Sequence, residues 1–187
     1  MDAFSYLSVL LSIILGLGLT QLLTAVGRVI RHRDRVSVDW LPLLWAVALL
    51  IVYVQVWWSM FGLRQLRSWT FLEFFVVLAQ TVTLYMMAAL LLPDEIDASG
   101  VDLRGYYERH HRWFFAFFLA TLVISVGKDV LINGSLPEPL NLAFHLVFAT
   151  ICLSAILVRR RRYHEIVGIT GAAAMVAYIG LLFAQLR

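Results

Sequence analysis

Six apolar runs, each long enough to cross a bilayer, follow one another along this 187-residue chain. They cover about residues 4–30, 40–62, 70–92, 113–132, 139–158 and 166–186. A membrane-spanning helix needs about 20 mostly apolar residues, so six of them consume most of the chain. Strands of a membrane barrel would be about 10 residues long with strict alternation, and these Leu- and Phe-rich runs do not alternate. Only 14% of the residues are charged and 61% are hydrophobic, where a soluble domain carries about a quarter charged. The expected fold class is therefore all-α: an integral membrane bundle of six transmembrane helices forming a single transmembrane domain over residues 1–187. No room is left for a soluble catalytic domain.

Local signals agree with these runs. The first begins Met1-Asp2-Ala3, with an acid and no base, and its bases follow it. A signal peptide has a basic start and a shorter apolar core, so this run reads as a retained first helix. Pro42 sits in the first turn of the second run, where proline is tolerated. Pro93 stops the third, and Asn133-Gly134 ends the fourth as a helix terminator.

Arginine and lysine set the expected orientation. The first loop holds Arg28, Arg31, Arg33 and Arg35, the third Arg104, Arg109 and Arg112, and the fifth Arg159, Arg160, Arg161 and Arg162. These are eleven of the fifteen bases. Bases favour the cytoplasmic side, which places loops one, three and five inward and both termini outward. The net charge of +3 reflects this flank bias rather than nucleic-acid binding. Trp40, Trp69 and Trp113 fall at span ends, as aromatic anchors do. The lone Cys152 cannot form an internal disulfide and says nothing of redox compartment.

The opening FSYLSVLLSIILGLGLTQLL, the QVWWSMF of the second run and the DLRGYYERHHRWFF before the fourth resemble bacterial multi-span membrane proteins of unassigned function. The resemblance covers most of the chain. It implies an inner or plasma membrane location and carries no activity, cofactor or site residue.

Two constellations are candidates for function. The first is a stripe of small residues on the first helix: Ser8, Ser12, Gly16, Thr20 and Thr24. Four residues turn a helix through about 400°, so the stripe drifts by about 40° per step. Small side chains let helices approach closely. The stripe is expected to pack tightly within the bundle or between subunits of a homo-oligomer.

The second constellation is a set of polar residues at membrane depth. At about 1.5 Å per residue, Gln55 and His145 lie roughly 9 Å in from the outer ends of their helices. Glu73 lies near the outer end of the third span, and Lys128 and Asp129 in the outer third of the fourth. Gln80 follows Glu73 by two turns, toward the midplane. Thr121, Ser125 and Asp129 make a polar stripe, as do Asn141 and His145. A charge at bilayer depth costs about 2.5–3.5 kcal/mol on insertion scales. Such groups persist facing the bundle interior, paired, or lining a wet cavity. The sharper reading is an outward-facing polar vestibule serving a channel or transporter for an ion or small solute, with His145 as a proton-sensitive element. The plainer alternatives are a snorkelling Lys128, a Glu73 that stabilises a helix N-terminus and a satisfied interior His145. The rival function is a non-catalytic membrane protein that acts through helix packing.

The third loop, with its acids and His110-His111, raises the question of a metal. Glu108 and His111 share a helix face, yet no HExxH or CxxC spacing is present, and Tyr106 to Trp113 reads as interfacial helix. Only His145 lies well inside a span, which leaves a bis-histidine haem without a second ligand. No nucleophile sits beside a base. No catalytic residue, metal or cofactor is therefore expected. The Arg159–Arg162 run is a topology determinant that also attracts anionic lipid headgroups at the inner face.

Overall fold

The computed structural model describes residues 3–66 and 68–182. Among these, six helices are long and apolar enough to cross a membrane. They are α1 (Ala3–Arg31), α2 (Trp40–Ser59), α3 (Phe71–Leu91), α4 (Leu103–Asn133), α5 (Pro139–Leu157) and α6 (Arg161–Leu182). The fold is an all-α bundle of a multi-pass membrane protein. In hydrocarbon every backbone polar group must be satisfied within the segment, and helices of this length do that.

The helix ends follow from local chemistry. Asp39 caps α2, accepting a hydrogen bond from the Leu41 amide at 2.9 Å. Thr70 and Glu73 cap α3 reciprocally. Asp102 caps α4 by accepting from the amides of Arg104 at 3.0 Å and Gly105 at 3.1 Å. Pro139 opens α5. Gly134 ends α4 in the left-handed conformation, at φ 67°, which glycine adopts without steric cost. The start of α4 departs from the hydropathy reading. The helix begins at Leu103 rather than near Trp113, because a polar segment with a good cap continues an apolar helix without a break.

Packing makes α2 the hub. It contacts α1, α3, α4 and α6, while α3 packs on α1 and α4, α4 also on α5, and α5 on α6. Its buried face includes Trp45, Ala48, Leu49, Val52 and Tyr53. In α1 the buried residues are Leu11, Leu15, Gly18, Leu22, Ala25 and Val29. A Cβ at Gly18 would collide with the Tyr53 hydroxyl, so this glycine sets the closeness of α1 and α2.

Three of the five residues of the small-residue stripe do not pack inside the bundle. Gly16, Thr20 and Thr24 are exposed, and nothing lies within 4 Å of where a Cβ of Gly16 would be. The bulkier face of α1 carries the intramolecular contact because aliphatic side chains bury more surface. Ser8 and Ser12 are half-buried and turn their hydroxyls onto the carbonyls of Ser5 and Ser8.

Loops one, three and five gather at one end of the bundle. Strand β1 (Val36–Ser37) pairs in parallel with β2 (Val101–Asp102). Gly100, at φ 81°, lies so close to the Arg35 carbonyl that a side chain would not fit. Arg28 donates to the Pro93 carbonyl at 3.0 Å, and Gln21 to the Asp94 carboxylate at 2.6 Å. Asp39 and Arg161 join loop one to the start of α6 at 2.6 Å. This is the arginine-rich end, and the α2–α3 and α4–α5 connections lie at the other.

Candidate functional site

A cavity of about 350 Å³ opens between α2, α3, α4, α5 and α6 toward the end that lacks the arginine clusters. Its rim includes Ser59, Gly62 and Asn133, where helices end, and its floor holds Gln80, Phe118, Thr121 and Phe148. Five of the six polar residues singled out in the sequence line it: Gln55, Gln80, Lys128, Asp129 and His145. They come from four helices. The polar stripes Thr121–Ser125–Asp129 and Asn141–His145 face it as well. Each stripe is spaced by about one helical turn.

Glu73 is the exception. Its carboxylate accepts from the Thr70 amide at 2.6 Å and the Thr70 hydroxyl at 2.9 Å, while the Glu73 amide donates back to Thr70. This is a capping box, which satisfies otherwise orphaned donors at a helix start, and Glu73 is not among the cavity-lining residues. The plainer reading of Glu73 describes its position.

The polar groups in the cavity are not consumed by one another. Among the described residues, no ion pair joins Lys128 to Asp129. Among the described residues, no hydrogen bond ties the side chains of Gln55, Gln80, Lys128 or Asp129 to another protein group. His145 is buried, and its Nδ1 lies 2.9 Å from the Asn141 carbonyl. A carbonyl only accepts, so Nδ1 carries the proton and Nε2 is left for another partner. The Tyr178 hydroxyl lies 3.3 Å from the Asn141 amide oxygen. Beside the floor, the Thr121 hydroxyl meets that of Thr83 at 2.8 Å, and Thr83 donates to the Gln80 carbonyl at 2.8 Å. This seam holds α3 against α4 and fixes the depth of Gln80.

Aromatic packing closes the cavity below. Phe118 contacts Trp45 edge-on at 6.4 Å between ring centroids, Trp45 contacts Phe115 at 5.2 Å, and Phe115 contacts His164 at 6.0 Å. Phe148 stacks on Phe118 at 6.2 Å. Phe114 and Phe115 are fully buried within this layer. A solute in the cavity therefore meets a packed aromatic floor.

Beyond that floor, at the arginine-rich end, lies a second cavity of about 380 Å³ between the starts of α4 and α6. His111 and His164 sit in its wall with ring centroids 4.7 Å apart. His164 is fully committed. Its Nε2 is 2.8 Å from the Val158 carbonyl and must donate to it, so Nδ1 accepts from the Tyr107 hydroxyl at 2.9 Å. His111 donates from Nδ1 to the Glu108 carbonyl at 2.9 Å. Its Nε2 is buried without a partner. Arg161 pairs with Asp39 at 2.6 Å and Glu165 at 2.8 Å, and its Nη1 is likewise buried without a partner. A buried polar group left unpaired costs about 1–3 kcal/mol.

Sequence reasoning missed this second cluster. Tyr107 and His164 are separated by most of α4, all of α5 and the turn after it, and no local spacing links them. Of the Arg159–Arg162 run, only Arg159 and Arg161 line the cavity, while Arg160 and Arg162 are exposed outside it. The suggested pairing of Glu108 with His111 is made by the Glu108 backbone. The Glu108 carboxylate instead meets Arg104 at 3.0 Å. No group of three or more metal-ligating side chains occurs among the described residues.

These features define a multi-pass membrane protein with a polar cavity at one end and a basic one at the other. The chain matches no protein-family model, no curated protein and no solved structure.

Proposed function

We propose that this protein moves an ion or small polar solute across the membrane, taking it up in the cavity lined by Gln55, Gln80, Lys128, Asp129 and His145. One observation carries the reading. Gln55, Gln80, Lys128, Asp129 and His145, from four helices, converge on a single cavity at membrane depth, yet among the described residues their side chains make no hydrogen bond or ion pair with one another. Ionisable residues inside a span are costly and mark solute or proton pathways. A purely structural set would pair internally.

The chemistry is amphoteric. Lys128 offers a cation, Asp129 an anion, His145 a nitrogen able to accept or give a proton, and Gln55 and Gln80 offer amides. Such a lining suits a small zwitterion or a proton-coupled solute better than a bare ion of one sign. The floor of Phe118, Trp45 and Phe115 blocks a continuous pore. Passage therefore requires that floor to rearrange, which favours a carrier that alternates access over an open channel.

The positive-inside rule orients the cavity outward and the arginine-rich end toward the cytoplasm. The resemblance to bacterial proteins supports placing it in the inner or plasma membrane. The test is uptake by proteoliposomes of radiolabelled small zwitterions and alkali cations, with and without a pH gradient. Asp129→Asn and His145→Gln should abolish the flux that the unaltered protein supports, while both variants insert and purify normally. Loss of folding in both, with no flux in the unaltered protein, would leave a structural role for these residues.

A second reading rests on α1. Gly16, Thr20 and Thr24 face away from the bundle, and small residues on an exposed transmembrane face favour close helix association. In this reading the protein acts as a packing partner in a homo-oligomer. Cross-linking between cysteines placed at Gly16 or Thr20 in native membranes separates it from the monomeric carrier.

A further inference from the structure

The second cavity has the properties of a built anion site. Four guanidinium groups stand in its wall, from Arg109, Arg112, Arg159 and Arg161. Glu108 is the one acid there, and it is held by Arg104 at 3.0 Å. Asp39 and Glu165 neutralise Arg161 from outside the cavity. Among the described residues, that leaves three arginines with no counter-charge of their own within the wall, beside two close imidazoles. His111 is 6% exposed and His164 3%, so neither ring is a casual surface group.

Two nitrogens of this wall have no protein partner, His111 Nε2 and Arg161 Nη1, and both are buried. Arg161 Nη1 is a buried donor that needs an acceptor, and His111, with its proton on Nδ1, presents Nε2 as a buried acceptor that needs a donor. A monoprotonated phosphate, or a phosphate carrying a hydroxyl-bearing headgroup, supplies both. Arginine forks match the oxygens of phosphate, giving paired charge-assisted hydrogen bonds. The tetrahedral oxygens of phosphate can meet several forks at once, which a planar carboxylate does less well. The cavity of about 380 Å³ has room for more than the bare ion. Its position at the helix ends, beside exposed Trp113, is the headgroup level of a bilayer.

We infer that the cavity between the starts of α4 and α6 binds a phosphate-bearing anion through Arg112, Arg159 and Arg161, with His111 Nε2 accepting from a hydroxyl of the same ligand. The phosphate belongs either to an anionic lipid headgroup or to a small soluble phosphate compound. The site is local, and it differs from diffuse attraction of lipid to the whole Arg159–Arg162 run. Only alternate members of that run reach it. It does not depend on solute passage through the other cavity.

The run itself supplies the control. Arg112→Gln with Arg159→Gln removes two exposed cavity arginines, while Arg160→Gln with Arg162→Gln removes the same charge from outside the cavity. Binding to the purified full-length protein is measured by native mass spectrometry and by thermal shift. The probes are inorganic phosphate, glycerol phosphate, and detergent micelles carrying phosphatidic acid or phosphatidylglycerol, with phosphatidylcholine as reference. The expected result is saturable binding of at least one phosphate probe, weakened tenfold or more by R112Q/R159Q and less than twofold by R160Q/R162Q. Binding of the soluble probes assigns a free phosphate compound, and binding of the anionic lipids alone assigns a headgroup. Equal loss in both double variants, or no saturable binding of any probe, overturns the inference. If the cavity double variant folds poorly, R112Q and R159Q singly carry the same comparison, with about a threefold loss expected of each.

Discussion

Asp39 and Arg161 lie 2.6 Å apart although one caps α2 and the other begins α6. The same Asp39 oxygen accepts the Leu41 amide at 2.9 Å. One carboxylate thus starts a helix and clamps the first loop to the beginning of α6. Removing one member of a buried pair costs about 3–5 kcal/mol, and losing an N-cap about 1 kcal/mol. Asp39→Ala should therefore destabilise the protein by about 3 kcal/mol or more in denaturant unfolding in detergent. Asp39→Asn, which keeps an oxygen for the cap, should lose clearly less. Equal losses would mean that the charge carries the whole effect and the cap adds nothing, and an unchanged stability in Asp39→Asn would mean that the ion pair contributes nothing.

Glu73 should prove structural. Glu73→Ala breaks the capping box with Thr70 and should cost about 1 kcal/mol. Solute uptake per folded molecule should stay within twofold of the unaltered protein. A Glu73→Gln variant that loses flux as completely as Asp129→Asn would return this residue to the transport path.

Gly16 and Gly18 are two positions apart and should respond oppositely to alanine. At Gly18 the new methyl meets the Tyr53 hydroxyl, and overpacking costs about 1–3 kcal/mol. Tyr53→Phe should recover part of that loss. At Gly16 the space is open, and alanine in a helix is favoured over glycine by about 1 kcal/mol. Melting temperatures of the single and double variants check both signs. If Gly16→Ala is as damaging as Gly18→Ala, the outer face of α1 is packed against another chain.

Tyr107→Phe removes the donor to His164 Nδ1. The unpaired ring nitrogen should cost about 1–3 kcal/mol. The loss should be seen as lower thermal stability and faster hydrogen exchange at the starts of α4 and α6. The cavity on the other side of the aromatic layer should keep its solute affinity.

Much of the bundle could be read from the sequence because burial in lipid needs only length and hydropathy. Five of the six nominated polar residues meet in one cavity because a helix projects every fourth residue to one side. The residues Thr70 and Glu73 carried their own explanation, since Thr-x-x-Glu before an apolar run is a capping signature. The beginning of α4 escaped hydropathy because Arg104 to Arg112 are polar while the cap at Asp102 is local. The contacts of Tyr107, His111 and His164 depend on which helices become neighbours, as does the pairing of β1 with β2. Nothing in a single span encodes that choice.

The central claim is that the cavity around Asp129 is wet and opens to the outside. Cys152 is fully buried in α5, so the protein already contains an unreactive reference thiol. Ser125 lines the cavity. In intact cells, a small charged, membrane-impermeant thiol reagent should modify Ser125→Cys within a few-fold of the rate at exposed Asn133→Cys. An excess of a transported solute should slow the reaction at position 125 and leave that at 133 unchanged. Ser125→Cys that stays as inert as Cys152, or that reacts only in inverted vesicles, would contradict the account.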